Sequence, residues 1–104
     1  MYLAITLMLG KNPLELPPGK RFTRDELAEA IRLAVIAELD AINLYVQLAS
    51  ASDDPLVRKV FLDVAKEEKT HVGEFLTLLK KLDPEQVKEL EAGAREVEEI
   101  AGEK

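Results

Sequence analysis

The residues of this chain best suited to chemistry are two glutamates and a histidine, each placed among apolar residues of a predicted helix. Glu68 and His71 belong to the run Glu68-Lys69-Thr70-His71, whose spacing puts a carboxylate and an imidazole one turn apart on one helix face. Glu38 interrupts an apolar stripe of an earlier helix in the same way. Carboxylates with an imidazole suit iron or manganese, and zinc also accepts them. The three residues therefore predict a metal site.

This ligand set is half of what a two-metal carboxylate bundle requires. Such bundles take a Glu-x-x-His pair from each of two helices and one further Glu from each of two others. This sequence supplies one pair and one further Glu on two helices. A second copy, related by a two-fold axis, would complete four glutamates and two histidines around two metal ions. We therefore expect a homodimer with one metal ion per chain.

Each of the three residues also has a purely structural explanation. A single His on an apolar helix face is often a hydrogen-bonded core residue, a Glu-x-x-His pair occurs by chance in Glu-rich helices, and Glu38 could lie in water at the flank of its stripe. Their conjunction favours metal binding, because no Lys or Arg occupies either stripe near this level. Buried carboxylates without a counter-charge are costly, and a divalent cation removes that cost.

The composition excludes several classes of protein. With 104 residues the chain has room for one small domain. A net charge of -6 argues against a nucleic-acid partner and suits a protein that handles cations. The absence of cysteine excludes disulfides, iron–sulfur clusters, thiolate zinc sites and rubredoxin-type iron. The apolar run 2–9 is too short to span a bilayer and lacks the basic residues of a secretory signal, so we expect a cytoplasmic protein without a membrane partner.

The sequence predicts three helices. Thr23-Arg24-Asp25-Glu26 is a capping box that starts the first helix, which runs to about residue 51. Asp54 caps the second helix, with Pro at its first position, and this helix runs to about residue 81. The third, acidic helix spans about 84–101, and we interpret it as a lid or an oligomer contact.

The chain divides into an extended N-terminal arm at 1–22, a helical hairpin at 23–82, and a C-terminal helix and tail at 83–104. Three prolines and Gly19 break any helical pattern in the arm. Its start alternates with period two, which is typical of an edge strand or a docking segment. A translation start at Met8, with the preceding residues outside the protein, is the third interpretation. The alternating apolar residues are Leu3, Ile5, Leu7 and Leu9.

An antiparallel hairpin brings the three ligands to one height. Glu38 and Glu68 lie about 15 residues on either side of a turn near Asp53, so both sit roughly 22 Å from it. His71 lies one turn further, and Tyr45, two turns from Glu38, is either a core aromatic or a neighbour of the metals. The inner stripes comprise Leu27, Ile31, Ala34, Val35, Ala41, Ile42, Leu48 and Ala49 in the first helix and Val57, Val60, Phe61, Val64, Phe75, Leu78 and Leu82 in the second. The first helix has more apolar surface than a hairpin can bury, which predicts partner chains.

Two segments resemble the encapsulated ferritin-like proteins, most closely the archaeal branch in which this domain can be fused ahead of an encapsulin shell protein. Residues 37–45 are similar to that family's first-helix Glu…Tyr segment, and residues 64–71 to its Glu-x-x-His segment. The resemblance extends over about residues 22–90. It implies an all-α fold in which a two-helix subunit, half of a ferritin, dimerises into a four-helix bundle, and five dimers form a ring.

The same resemblance implies a function. Glu38, Glu68 and His71 would be the ligands of a di-iron ferroxidase centre at the dimer interface, and Tyr45 would act beside it. The ring would lie inside an encapsulin nanocompartment that stores the mineral, in the cytoplasm. Some relatives carry a pair of acidic residues near the first-helix Glu as a metal access site. Near Glu38 of this chain, Asp40 is acidic and Ala37 is not.

Two other functions stay open at this point. One is a rubrerythrin-like di-iron peroxidase, although a complete rubrerythrin carries two Glu-x-x-His helices and usually a cysteine-ligated iron. The other is a non-catalytic helical adaptor or cargo protein, which would need the three polar residues to be exposed. Glu74, one turn past His71, is a second candidate for lining the metal access route. Both a free-standing cargo protein and a domain of a shell fusion fit the sequence.

Overall fold

A computed structural model describes residue 19 and residues 21–103 of the chain. Three helices follow one another: α1 (Arg24–Ala51), α2 (Pro55–Leu82) and α3 (Pro84–Gly102). The described part of the chain contains no strand, so the all-α prediction is confirmed. The first helix ends where it was predicted to end, and α2 and α3 each continue one residue further.

The predicted N-terminal arm lies almost wholly outside the described residues. The alternating run at 3–9, interpreted as an edge strand or docking segment, falls in that part. Gly19 forms a turn with a φ of 80°, a left-handed backbone conformation that favours glycine.

Side-chain caps fix where the first two helices begin. The hydroxyl of Thr23 accepts the Glu26 N–H at 3.2 Å, and the Glu26 carboxylate accepts the Thr23 N–H at 2.9 Å, which confirms the predicted capping box. The Asp54 carboxylate accepts the N–H groups of Leu56 and Val57 at 2.9 and 3.2 Å. These bonds satisfy helix donors that would otherwise lack partners, and they confine the turn between α1 and α2 to a few residues.

Few side chains of the hairpin are fully buried, and most of these are small. The buried apolar residues of the described chain are Ala28, Ala49, Ala65 and Leu79. Alanine lets two helices approach closely because it projects little from the backbone. The hairpin is therefore a slim unit with a thin core.

Several residues of the predicted inner stripes stay exposed in the single hairpin. Leu27 and Leu48 of α1 remain 37% and 38% exposed, and Val57 and Leu78 of α2 remain 40% and 45% exposed. The prediction that one hairpin cannot cover its own apolar surface is confirmed by these exposures.

Helix α1 is long and apolar enough, by length and composition alone, to cross a membrane. One such helix is weak evidence for a membrane protein, since a core helix of a soluble bundle meets the same criteria. Here α1 packs along α2 and carries Glu38 in its apolar stripe. We retain a helix bundle without a membrane partner as the prediction for this chain.

An ion pair fixes the elbow between α2 and α3. Nη2 of Arg32 lies 2.6 Å from Oδ2 of Asp83, and the other Asp83 carboxylate oxygen accepts the Gln86 N–H at 3.1 Å. The Gln86 N–H and then the Arg32 guanidinium hold the pKa of the Asp83 carboxyl below its ordinary value of 3.8. Among the described helices, α3 contacts α2 and not α1. The third helix therefore leaves the hairpin at the end opposite the turn.

Candidate metal centre

One carboxylate from α1 and a carboxylate and imidazole from α2 meet at one point of the hairpin. Glu38, Glu68 and His71 each present a ligand atom, and these atoms all lie within 4.8 Å of one another. Nδ1 of His71 lies 3.4 Å from Oε2 of Glu38 and 3.4 Å from Oε2 of Glu68. The structure therefore brings together the three residues that the sequence predicted at matched height.

The charges of this cluster favour a bound cation. Oε2 of Glu38 is buried and has no hydrogen-bond partner, although Nδ1 of His71 lies 3.4 Å away. That nitrogen makes its long, weak hydrogen bond of 3.4 Å with Oε2 of Glu68 instead. An imidazolium would balance one of the two carboxylate charges and leave the other. A divalent ion would balance both carboxylate charges and would be bound by the unpartnered oxygen. The donor set of two carboxylates and one imidazole fits iron or manganese.

The cluster is open on one side. The His71 side chain is 43% exposed, against 20% for Glu38 and 17% for Glu68. Val60 lies about three turns from His71 on the same face of α2 and is 52% exposed. A face that combines exposed apolar side chains with an incomplete set of ligands is the surface expected of half a shared site.

Tyr45 stacks on Phe61 two turns from the carboxylates. The ring centroids are 6.1 Å apart with an interplanar angle of 17°, and both residues are partly buried. Phe61 lies seven residues before Glu68 on α2, and Tyr45 lies seven residues after Glu38 on α1. Because the two helices are antiparallel, these positions are level and the two rings meet. The sequence placed Phe61 in the core without identifying this partner. A catalytic role of Tyr45 stays a prediction.

The candidate access residues differ in exposure. Glu74 is exposed, whereas Asp40 is partly buried. Residue 37 is an uncharged alanine. Near Glu38, Asp40 is therefore not paired with a second acidic residue at position 37.

Two residues of the elbow were missed by sequence reasoning. Arg32 and Asp83 join α1 to the start of α3 through their ion pair. A signal existed, since Arg32 is a lone charge within the apolar run 31–37. Its partner lies far along the chain, and only the packed hairpin shows which carboxylate it meets.

Comparisons with known proteins agree with this architecture. A family model described as Rubrerythrin matches residues 29–103. The chain is 59% identical over 95 residues to a ferritin-like-encapsulin shell fusion protein of Pyrococcus furiosus. The matched region covers 91% of this chain and 28% of that protein. It is 41% identical over 75 residues to the encapsulin nanocompartment cargo protein EncC of Myxococcus xanthus, covering 72% of this chain and 58% of that protein.

A solved structure matches over almost its whole length. The crystal structure of the encapsulated ferritin domain from Pyrococcus furiosus superimposes with a TM-score of 0.82 at 57% identity, covering 92% of this chain and 98% of that one. The chain spans less than two thirds of the length of either curated relative. The resemblance drawn from residues 37–45 and 64–71 is confirmed by these matches.

Proposed function

This chain belongs to the rubrerythrin family of ferritin-like proteins, and on that premise we propose that it is a ferroxidase, which oxidises Fe(II) to Fe(III) with dioxygen. One observation carries the proposal. Three ligand atoms converge within 4.8 Å, and one of them, Oε2 of Glu38, is buried without a hydrogen-bond partner. Iron is the substrate of this reaction, and the cluster of Glu38, Glu68 and His71 is its binding site.

The complete site is proposed to form between two copies. Each chain would bind one iron through Glu38, Glu68 and His71, and a two-fold dimer would place two such clusters face to face. The half-exposed imidazole and the apolar residues around it support this arrangement, because a partner face would cover both. The dimer would then be a four-helix bundle, and burial between the copies would exclude bulk water from the site.

The residues of the chain favour the oxidised form of iron. Carboxylate oxygens are hard donors and bind Fe(III) more strongly than Fe(II), so Glu38 and Glu68 lower the free energy cost of oxidation. His71 adds a nitrogen donor to the site. In the overall reaction two Fe(II) ions lose one electron each, and one dioxygen takes up both electrons with two protons and leaves as hydrogen peroxide.

The setting of the reaction is proposed from the relatives. One curated relative is a fusion to an encapsulin shell and another is an encapsulin nanocompartment cargo protein. We place this chain inside an encapsulin compartment of the cytoplasm, as a ring of five dimers that supplies Fe(III) for storage. The thin core and exposed apolar faces of the single subunit support an assembly larger than one chain.

Oxygen uptake after addition of Fe(II) tests the activity. The purified protein should consume oxygen rapidly, and Glu38→Ala or His71→Ala should reduce the initial rate to that of Fe(II) in buffer. Glu67→Ala is the matched control, since Glu67 is exposed and adjacent to Glu68, and it should retain the full rate. Unchanged rates in both ligand variants would refute the proposal.

A peroxidase is the second candidate, and the Rubrerythrin family match favours it. The same cluster would then pass electrons from two Fe(II) ions to hydrogen peroxide, which with two protons would leave as two water molecules. Stopped-flow oxidation of Fe(II) with equal concentrations of dioxygen and peroxide separates the two. A faster reaction with peroxide would favour the peroxidase. A non-catalytic adaptor predicts no bound iron at all, so metal analysis of the purified protein distinguishes it from both.

A further inference from the structure

The side chain of Tyr45 is oriented by its ring and not by its hydroxyl. Among the residues that the structure describes, no hydrogen bond reaches the Tyr45 hydroxyl, and the ring stacks on Phe61. The two ring centroids lie 6.1 Å apart, within the range at which aromatic rings attract each other. Because nothing in this part of the chain holds the hydroxyl itself, its direction depends on the contact that holds the ring. Phe61 provides that contact.

The position of Tyr45 on α1 favours a hydroxyl that points towards the metal cluster. Tyr45 lies seven residues after Glu38, which is about 10 Å along the helix axis. Side chains of an α-helix lean towards its N-terminus, and from Tyr45 that is the direction of Glu38. Ala41 lies between them, at about the same angle around α1 as the exposed Leu48. On this side of the helix α1 places only a methyl group between the phenol and the cluster.

The flat ring of Phe61 fixes the Tyr45 ring in a way that an aliphatic side chain would not. The two ring planes differ by 17°, so each ring limits the rotation of the other, whereas a leucine would fill space without a flat face. The buried residues one turn after each ring are small. These residues are Ala49 on α1 and Ala65 on α2, with 2% and 3% of their surface exposed. Neither of these positions provides a large side chain that could replace Phe61 in this role.

From the unbonded hydroxyl, the ring stack and the small neighbours, we infer that Phe61 is a positioning residue for iron oxidation. It holds the Tyr45 ring so that the hydroxyl faces the metal cluster. There the hydroxyl donates a hydrogen bond to dioxygen as the dioxygen gains negative charge, and this stabilises that charge. Phe61 itself touches neither iron nor oxygen. The inference rests on the ferroxidase activity given under Proposed function.

A double-mutant cycle separates positioning from simple packing. Phe61→Leu keeps an apolar side chain and removes the flat ring. It should slow oxygen uptake after addition of Fe(II) several-fold, by no more than Tyr45→Phe does. In a Tyr45→Phe protein there is no hydroxyl to orient, so adding Phe61→Leu should leave the rate of that protein unchanged. Equal slowing in both backgrounds, or an unchanged rate for Phe61→Leu alone, would overturn the inference.

Two further variants define what the position requires. Phe61→Tyr keeps a flat ring and should retain the rate of the wild type. Phe75→Leu is the matched control, because Phe75 lies seven residues after Glu68, on the side away from Tyr45, and it should also retain that rate. Phe61→Leu should bind as much Mn(II) per chain as the wild type. Loss of Mn(II) binding would place its effect in the structure of the metal cluster and contradict a positioning role.

Near-ultraviolet circular dichroism measures the order of the Tyr45 ring without iron or activity. The chain contains no tryptophan and two tyrosines, so Tyr2→Phe leaves Tyr45 as the source of the tyrosine band. In that background Phe61→Leu should weaken the band, since the band depends on fixed side-chain packing, and Phe75→Leu should not. A band unchanged by Phe61→Leu refutes the positioning role by itself. Absence of oxygen uptake by the wild type refutes the ferroxidase, so the two failures are distinguishable.

Discussion

Nδ1 of His71 on α2 lies 3.4 Å from Oε2 of Glu38 on α1, and that glutamate oxygen has no hydrogen-bond partner. The pair joins the two helices at a point where an ordinary core would hold aliphatic side chains. An ionised carboxylate in this position opposes the stability of the metal-free protein. The arrangement is therefore expected of a metal site and not of residues that stabilise the fold.

Glu38→Gln should separate binding from stability. The amide removes a partly buried charge, so the metal-free variant should be more stable than the wild type by about 1 kcal/mol. Mn(II), used as a metal that binds without turnover, should raise the free energy of unfolding of the wild type by about 2.7 kcal/mol at 100 times its Kd. The variant should show no such gain. Thermal or urea unfolding with and without Mn(II) measures both effects. A metal-free variant less stable than the wild type would contradict this account of Glu38.

Val60→Glu should remove the dimer and the metal together. Val60 is 52% exposed on the face that carries His71, and a charge there would be buried without a partner between two copies. All three ligands remain in place in this variant, so a site complete within one chain would still bind iron. We expect monomers with little bound iron, measured by light scattering and metal analysis. Leu62→Glu, on the other side of α2, is the matched control and should keep both the dimer and its iron.

Tyr45→Phe should leave the fold intact and slow iron oxidation several-fold. The stack on Phe61 depends on the ring and not on the hydroxyl, so the melting temperature should change little. The hydroxyl is the group that can exchange a proton or an electron with the centre. Phe61→Ala serves as the structural counterpart. It removes the stack and should cost about 2 kcal/mol of stability. Equal oxidation rates for the wild type and Tyr45→Phe would remove Tyr45 from the reaction.

Asp83 should stabilise the elbow between α2 and α3, and this stabilisation should be lost in acid. Its pKa is held below 3.8 by the Gln86 N–H and then by Arg32, so its stabilising effect is present above the ordinary pKa and is lost as the pH falls through the lowered value. Asp83→Asn keeps a capping side chain but loses the charge. Its melting temperature should lie below that of the wild type at neutral pH, and the difference should shrink in acid. Asp63→Asn, at an exposed position of α2, should show no comparable change with pH.

Local signals predicted the helices well, and they predicted that Glu38, Glu68 and His71 lie close together. Caps at Thr23, Asp54 and Asp83 each lie at the start of the expected helix, because capping depends on neighbouring residues alone. The height of Glu38 against Glu68 followed from counting residues from a tight turn. What the sequence did not yield was which positions the hairpin itself buries. These are Ala28, Ala49, Ala65 and Leu79, and this selection is a property of the packed pair.

The sequence also did not predict which residues of different helices contact each other. The Tyr45–Phe61 stack and the Arg32–Asp83 ion pair each join residues from different helices, and no local pattern specifies such partners. Both are consistent with the predicted antiparallel hairpin and become evident once the two helices are aligned.

The thin core of the hairpin has a consequence for the folding of this protein in a cell. A newly made subunit hides few side chains of its own, so its folding is coupled to meeting other subunits and follows mass action. At low copy number the lone chain would be short-lived and chemically idle. In the proposed ferroxidase, oxidation of Fe(II) would then begin only after enough subunits had assembled to enclose the site.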